Sequence, residues 1–104
     1  MLIAKEETFG PVAALFKFSE EKEVIDLANA TEYGLAAYFY TKNVDRVIHV
    51  AQQLDYGIVG VNTGRASNEV APFGGFKQSG IGREGSKYGI EDYLEIKYIC
   101  LNTE

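Results

Sequence analysis

The chain has 104 residues, of which 46% are hydrophobic and 12% aromatic, and its formal net charge at pH 7 is -5. This length allows one domain at most, and the composition is typical of a folded rather than a disordered protein. The negative charge argues against nucleic-acid binding, which requires a basic surface. No apolar run approaches the roughly 20 residues of a membrane-spanning helix. A single cysteine excludes an internal disulfide, so we expect a reducing, cytoplasmic environment.

The first part of the chain predicts a strand followed by a helix. Residues 12–18 form a short apolar run, which is typical of a buried strand. Ser19 can cap a helix that follows, and Glu20 and Glu21 place negative charge in the first turn of that helix. We expect the helix to end near Gly34.

The next part continues the alternation. Residues 35–41 predict a second strand, Asn43 can cap a second helix that ends at Gly57, and residues 58–62 predict a third strand. The second helix has one apolar face, formed by Val44, Val47, Ile48, Ala51 and Leu54. Short connections between strand, helix, strand, helix and strand predict an α/β fold with a parallel sheet. Ligands bind such sheets beyond the carboxyl ends of the strands, where Asn62 lies.

The end of the chain predicts a short helix over residues 84–93 and a last strand over residues 94–101. Gly85 and Gly89 weaken the helix prediction, whereas the strand alternates regularly between its two faces. An exposed alternating strand can add to the edge of a neighbouring sheet.

A glycine-rich segment, residues 72–85, precedes this short helix and has the sequence PFGGFKQSGIGREG. It holds five glycines, which reach backbone conformations that other residues adopt only at a cost. It also contains Phe73, Phe76 and Ile81, and a flexible linker would not carry such large apolar side chains. We interpret it as an ordered, functional loop.

Gly80, Gly82 and Gly85 match the pattern G-x-G-x-x-G within this loop. In a dinucleotide-binding site that pattern directly follows a strand and opens a helix, so that phosphate meets the helix N-terminus. Here a long loop precedes the glycines. We therefore interpret the match as coincidental.

Three other side chains are candidates for chemistry. Cys100 lies in the last predicted strand, far in sequence from the sole histidine, so we expect a buried small apolar residue rather than a nucleophile. His49 falls on the polar side of the second helix, and one isolated histidine makes neither a metal site nor a triad. Ser67 follows the third strand together with Asn68, where both could reach into a cleft or simply complete a turn.

The motifs EETFGP at residues 6–11 and PFGGFKQSGIGRE at residues 72–84 resemble the C-terminal part of the NAD(P)-dependent aldehyde dehydrogenases. The segments ASNEVAPFGG and EGSKYGIEDYLEIKYICL are similar to those of succinate-semialdehyde dehydrogenases. The resemblance implies that residues 1–104 are the last part of a three-layer catalytic domain. It also implies that residues 94–101 form an oligomerisation strand through which the chain joins a homo-oligomer.

The same resemblance implies the oxidation of an aldehyde to a carboxylic acid, with NAD or NADP accepting the hydride. It assigns Glu7 to the nicotinamide ribose hydroxyls and Phe9 to the nicotinamide side of the cofactor site. Ser67 matches a serine that helps to bind the distal carboxylate of the substrate. Phe73 matches an aromatic residue of the aldehyde tunnel.

The family's cysteine nucleophile and glutamate base have no counterpart in this sequence. We therefore expect the chain alone to have no dehydrogenase activity, to bind no cofactor by itself, and to contain no metal site. The alternative is a non-catalytic module that self-associates or binds another subunit through its last strand.

Overall fold

The computed structural model describes residues 1–103. It contains two α-helices, α1 (Glu21–Asn29) and α2 (Val44–Gln53). Four short strands accompany them: β1 (Tyr33–Gly34), β2 (Ala36–Phe39), β3 (Ile58–Val61) and β4 (Phe76–Lys77). Two single 3-10 turns cover Leu2–Ala4 and Glu91–Tyr93.

Strands β2 and β3 form the parallel pair that the sequence predicts. Ala36 lies opposite Ile58 and Phe39 opposite Val61, and α2 connects the two strands. A second pair was not predicted: β1 and β4 are antiparallel, with Gly34 opposite Phe76. This second pair attaches the glycine-rich loop to the strand–helix–strand unit.

Three predicted elements are absent from the part of the chain that the structure describes. Residues 12–18 and 94–101 form no strand, and their side chains are exposed. A strand is stable only when another strand pairs with its edge, and the apolar pattern of a segment says nothing about whether such a partner exists. The predicted helix over residues 84–93 is also wrong. Its first residue pairs with Phe73, and Gly85 adopts a φ of 65°, which helices do not contain.

The helix ends follow local capping signals, with one shift. Asn43 caps α2 as predicted, because its Oδ1 atom accepts from the Arg46 N–H at 3.0 Å. The cap of α1 is Glu20 rather than Ser19, and the Glu23 carboxylate accepts from the Ser19 N–H at 2.9 Å. Both helices end earlier than predicted, at Asn29 and Gln53.

Asn29 joins the C-terminal ends of the two helices. Its Nδ2 atom donates to the Gln53 carbonyl oxygen at 2.7 Å, and its Oδ1 atom accepts from the Asp55 N–H at 2.9 Å. The Tyr56 hydroxyl donates to the Ala28 carbonyl oxygen at 2.7 Å. These bonds satisfy carbonyl groups that a helix leaves unpaired at its C-terminal end.

The core is small for a chain of this length. Ile25 and Val50 are 7% and 8% exposed, and they are the buried large apolar side chains among the described residues. Val44 and Ile48, predicted on the apolar face of α2, are exposed. The accessible surface is 9310 Å², whereas a compact monomer of 11.5 kDa exposes about 5,800 Å². The radius of gyration is 18.8 Å, against about 13 Å for a compact domain.

Tyr56 makes the stability of this unit sensitive to alkaline pH. Burial raises the pKa of its phenol above the usual value near 10, and the neighbouring Asp55 carboxylate adds to the rise. The folded state therefore keeps the phenol proton at a pH where the unfolded state loses it. This contribution to stability is complete below the unfolded pKa and is lost as pH rises through the folded pKa.

We expect the urea midpoint of the chain to fall as pH rises above about 10, and the change from Tyr56 to Phe to remove part of that dependence. At neutral pH the same change should cost about 1 kcal/mol, because the bond to the Ala28 carbonyl is lost. Urea unfolding between neutral and alkaline pH measures both effects. If the urea midpoints of the wild-type chain and of Tyr56→Phe fell equally with pH, Tyr56 would not be the source of the pH dependence.

Candidate functional site

A cleft of about 340 Å³ lies between the segment that follows β3 and the glycine-rich loop. Its lining residues are Ser67, Asn68, Glu69, Ala71, Phe73, Glu84 and Gly85. An adjoining hollow of about 260 Å³ shares Ser67 and Phe73, and it is closed on one side by residues 57–59. We call the two together the Ser67–Phe73 cleft. The cleft lies beside the beginning of β3. The sequence predicts ligand binding at the other end of this strand, near Asn62, so the chain after Asn62 turns back along the strand.

The structure brings together the two residues that the resemblance assigns to substrate binding. Ser67 is exposed, Phe73 is 41% exposed, and both residues line one cleft. Asn68 shares the cleft, and its Oδ1 atom accepts from the Val70 N–H at 3.0 Å. Asn68 therefore shapes the turn, as one of the two predicted alternatives has it.

The charge of the cleft is negative. The lining includes two acidic residues, Glu69 and Glu84, and neither lysine nor arginine. Arg65 lies nearby in sequence with an exposed side chain, and its backbone N–H is bonded to Thr63. The charged residues that this chain contributes to the cleft are therefore acidic.

The two residues that the resemblance assigns to the cofactor lie elsewhere. Glu7 and Phe9 belong to an exposed stretch before α1, and Phe9 is 99% exposed. Neither lines the Ser67–Phe73 cleft. A hollow near this stretch is apolar and is lined by Met1, Ile3, Ala4, Ala14, Leu15 and Phe16. This lining offers no charged or polar side chain to the phosphates of a dinucleotide, so this hollow does not fit NAD or NADP.

The tip of the glycine-rich loop is anchored to the rest of the fold. The Lys77 ammonium donates to the carbonyl oxygens of Asn29 and Thr31 at 3.0 and 3.2 Å, at the C-terminal end of α1. The Ser79 hydroxyl accepts from the Gly34 N–H at 2.9 Å. These contacts hold β4 against β1.

The sequence also did not predict the role of Arg83 in this loop. Its side chain is half-buried and donates to the carbonyl oxygens of Gly75 and Gly82 at 3.1 and 2.6 Å. Its own N–H donates to Asp92 Oδ2 at 3.3 Å, so Asp92 contacts the loop. An arginine inside a glycine-rich loop was the available signal.

The glycine pattern does not have the geometry of a dinucleotide fingerprint. Gly80, Gly82 and Gly85 adopt φ values of 108°, 92° and 65°, which favour glycine. No helix begins after them in the described chain: turns follow, and then the single 3-10 turn at Glu91–Tyr93. The glycines therefore shape the loop and present no helix N-terminus to phosphate.

The remaining candidates lie outside this cleft. Cys100 is exposed, so the predicted burial is wrong; the segment that carries it has no sheet to cover it. His49 is exposed on α2, and its Nε2 atom lies 3.9 Å from the Glu21 carboxylate. Within residues 1–103 no three potential metal ligands cluster, and neither helix has the length and hydropathy to span a membrane.

Comparison with known proteins gives the family. Residues 1–99 match the aldehyde dehydrogenase family. The chain is 67% identical over 101 residues to 3-sulfolactaldehyde dehydrogenase from Pseudomonas putida, and the match covers 97% of this chain and 21% of that protein. It is 68% identical over 99 residues to succinate-semialdehyde dehydrogenase (NADP+) from Escherichia coli K12, with 95% of this chain and 20% of that protein covered.

A solved structure agrees with these matches. An NAD+ complex of aldehyde dehydrogenase from Bacillus cereus superimposes with a TM-score of 0.94 at 45% identity, over 100% of this chain and 21% of that one. The chain thus spans about a fifth of the length of the curated relatives that it matches. Because the fold and nearly every residue align with this group, the chain belongs to the aldehyde dehydrogenase family.

Proposed function

We propose that the chain forms part of an NAD(P)-dependent dehydrogenase that oxidises an aldehyde with a distal anionic group, in particular succinate semialdehyde. The observation that carries the proposal is the pairing of Ser67 and Phe73 in one cleft. The names of the two relatives support the substrate class, since succinate semialdehyde carries a carboxylate and 3-sulfolactaldehyde a sulfonate.

The two side chains would have different tasks. The Ser67 hydroxyl would donate one hydrogen bond to the anionic end of the substrate, and charge-assisted bonds of this kind are stronger than neutral ones. The Phe73 ring would form an apolar wall that keeps water away from the reacting carbonyl. Neither residue is a nucleophile or a base in this scheme. The chain therefore shapes the site, and the reacting groups come from elsewhere.

The negative charge of the cleft supports the same division. Glu69 and Glu84 would repel an anionic substrate, and one hydroxyl does not offset two carboxylates. Cations from polypeptide beyond these 104 residues are needed to bind the anionic end. We therefore propose that the isolated chain is inactive.

The cofactor contacts are proposed on the same terms. Glu7 would accept hydrogen bonds from ribose hydroxyls, because an ionised carboxylate is an acceptor only. Phe9 would pack beside the nicotinamide. Both are exposed and stand outside any cradle formed by this chain, so they would complete a cofactor site whose phosphate-binding part is supplied by other polypeptide.

The first test is an assay of the purified chain with succinate semialdehyde and either NAD+ or NADP+. We expect no aldehyde-dependent formation of NADH or NADPH. Grafting the chain in place of the matching segment of the Escherichia coli relative should give an active chimera, because the missing groups are then present. Turnover by the chain alone, or a folded but inactive chimera, would contradict the proposal.

A substitution in the chimera tests the substrate class. Ser67→Ala should raise KM for succinate semialdehyde about tenfold with kcat nearly unchanged, because one hydrogen bond to a charged group is lost. For an uncharged aldehyde such as butanal, KM should change little. Ser19→Ala, at the start of α1, is the matched control and should change neither value. An equal effect of Ser67→Ala on both aldehydes would argue against an anion-binding serine.

An alternative function rests on a separate observation. Residues 94–101 are exposed and unpaired, although their apolar side chains are suited to burial. A non-catalytic module that associates through this segment would explain that exposure.

A further inference from the structure

We propose that Arg83 is the positioning residue that fixes Phe73 in the wall of the Ser67–Phe73 cleft. The inference rests on the function proposed above, because it explains what holds Phe73 in place as a wall of the proposed substrate site. It concerns a residue that does not line the Ser67–Phe73 cleft and would act through the backbone of the loop.

The loop is closed at its base by Phe73 itself. The Phe73 N–H donates to the Glu84 carbonyl oxygen at 2.9 Å, and the Glu84 N–H donates to the Phe73 carbonyl oxygen at 2.7 Å. Two such bonds fix the backbone of Phe73 only if residue 84 is itself held in place. Both residues lie in loops, and no neighbouring ladder extends this isolated bridge.

Arg83 supplies the second closure. A single nitrogen of its guanidinium, Nη1, donates to the carbonyl oxygens of Gly75 and Gly82, one on each arm of the loop. The guanidinium carbon lies 5.6 Å from the centre of the Phe76 ring, within the range of a cation–π contact. The charged group therefore ties together the two arms next to the Phe73–Glu84 bridge.

Water cannot easily replace the Arg83 guanidinium as the donor to these two carbonyl oxygens. Gly75 is buried, and Arg83 and Gly82 are half-buried, so water has limited access to the two oxygens. Asp92 holds the arginine from the other side by accepting from its backbone N–H. Loss of the guanidinium would leave acceptors unpaired in a partly buried place, which costs more than loss of a solvent-exposed bond.

Amide hydrogen exchange of the chain tests the proposal directly. Arg83→Gln should raise the exchange rates of the Phe73 and Glu84 amides at least about tenfold, because charge-assisted bonds are lost at the closure. Arg83→Lys keeps the charge and should give an intermediate rate. Arg65→Gln, a change of an exposed arginine outside the loop, should leave both amides unchanged.

Amides of the β2–β3 pair distinguish positioning from general stability. The Ile58 and Asn62 N–H groups are bonded to Leu35 and Phe39 across that pair. Their exchange should not change in Arg83→Gln. Unchanged exchange at Phe73 and Glu84, or an equal rise at Ile58 and Asn62, would overturn the proposal.

The chimera separates this inference from the proposed function. There Arg83→Gln should lower kcat/KM for succinate semialdehyde and for butanal alike, because both aldehydes contact the Phe73 wall. Ser67→Ala should instead raise KM for succinate semialdehyde only. Faster exchange at Phe73 in a chimera without activity would support positioning and refute the function. Normal exchange in an active chimera would refute positioning alone.

Discussion

Replacing Gly57 with alanine is expected to destabilise the chain by about 2–3 kcal/mol, the usual cost of forcing extra volume into a packed site. A β carbon at Gly57 would overlap the Gly74 carbonyl oxygen and lie 2.8 Å from the carbonyl carbon and 2.9 Å from the Gly75 Cα atom. All three are backbone atoms, so no side chain can rotate away. The loop would have to move as a unit.

The loop cannot move without losing other contacts. Lys77 ties its tip to α1, and Arg83 ties its two arms together. Gly57 also lines the hollow beside Phe73, so displacement of the loop would open the Ser67–Phe73 cleft. The substitution should therefore reduce stability and, in the chimera, lower kcat/KM as well.

Urea unfolding followed by far-UV circular dichroism measures the loss of stability. Gly10→Ala is the matched control, because no atom lies within 4 Å of its β carbon. Both variants lose one glycine, so the effect on the entropy of the unfolded chain is common to them. We expect a change within about 0.5 kcal/mol for Gly10→Ala. Equal unfolding midpoints for the two variants would show that the loop yields without cost.

The helices could be predicted because their signals are local. Asn43 satisfies an N–H three residues along, and Glu23 reaches back to the amides of Ser19 and Glu20, just before α1. The prediction of Ser19 as the cap was wrong by one residue, because the residue with extended backbone directly before the helix is Glu20. The parallel pairing of β2 and β3 followed from the intervening helix.

The two missing strands show that a local sequence pattern does not reveal whether a partner strand is available. Residues 12–18 have the composition of a buried strand and residues 94–101 the alternation of a strand with two faces, but the described chain offers neither of them a paired edge. Arg83 and Lys77 also escaped prediction, because each bonds to backbone carbonyls rather than to a residue type that a motif would identify. Contacts of side chains with distant backbone depend on the finished fold.

The residues of the candidate site differ in the same way between those close together in sequence and those far apart. Ser67 and Phe73 are six residues apart on one turn of chain, so their meeting in one cleft required little of the long-range fold. Glu7 and Phe9 lie far from them in sequence, and the described chain does not place them in that cleft. Their assignment to the cofactor stays a prediction.

The isolated chain is expected to self-associate, with a weight-average mass at least twice the 11.5 kDa of one copy. Its surface exceeds that of a compact monomer by about 3,500 Å², several times the roughly 800 Å² that each partner buries in a standard interface. Exposed apolar side chains contribute much of it, and Ile96 is 99% exposed. Burying such side chains is favourable whenever a complementary surface is available.

Light scattering of two double variants locates the surface that associates. Ile96→Lys with Ile99→Lys charges the last segment, and Val12→Lys with Leu15→Lys adds the same two charges to the exposed N-terminal stretch. If residues 94–101 add to a neighbouring sheet edge, the first pair should restore a monomer and the second should not, since lysines on an edge oppose strand addition. Dissociation by the second pair alone would move the interface to residues 12–18 and contradict the predicted oligomerisation strand. A monomeric wild-type chain would remove self-association from the alternative function, because a surface that does not associate at high concentration cannot recruit a second copy.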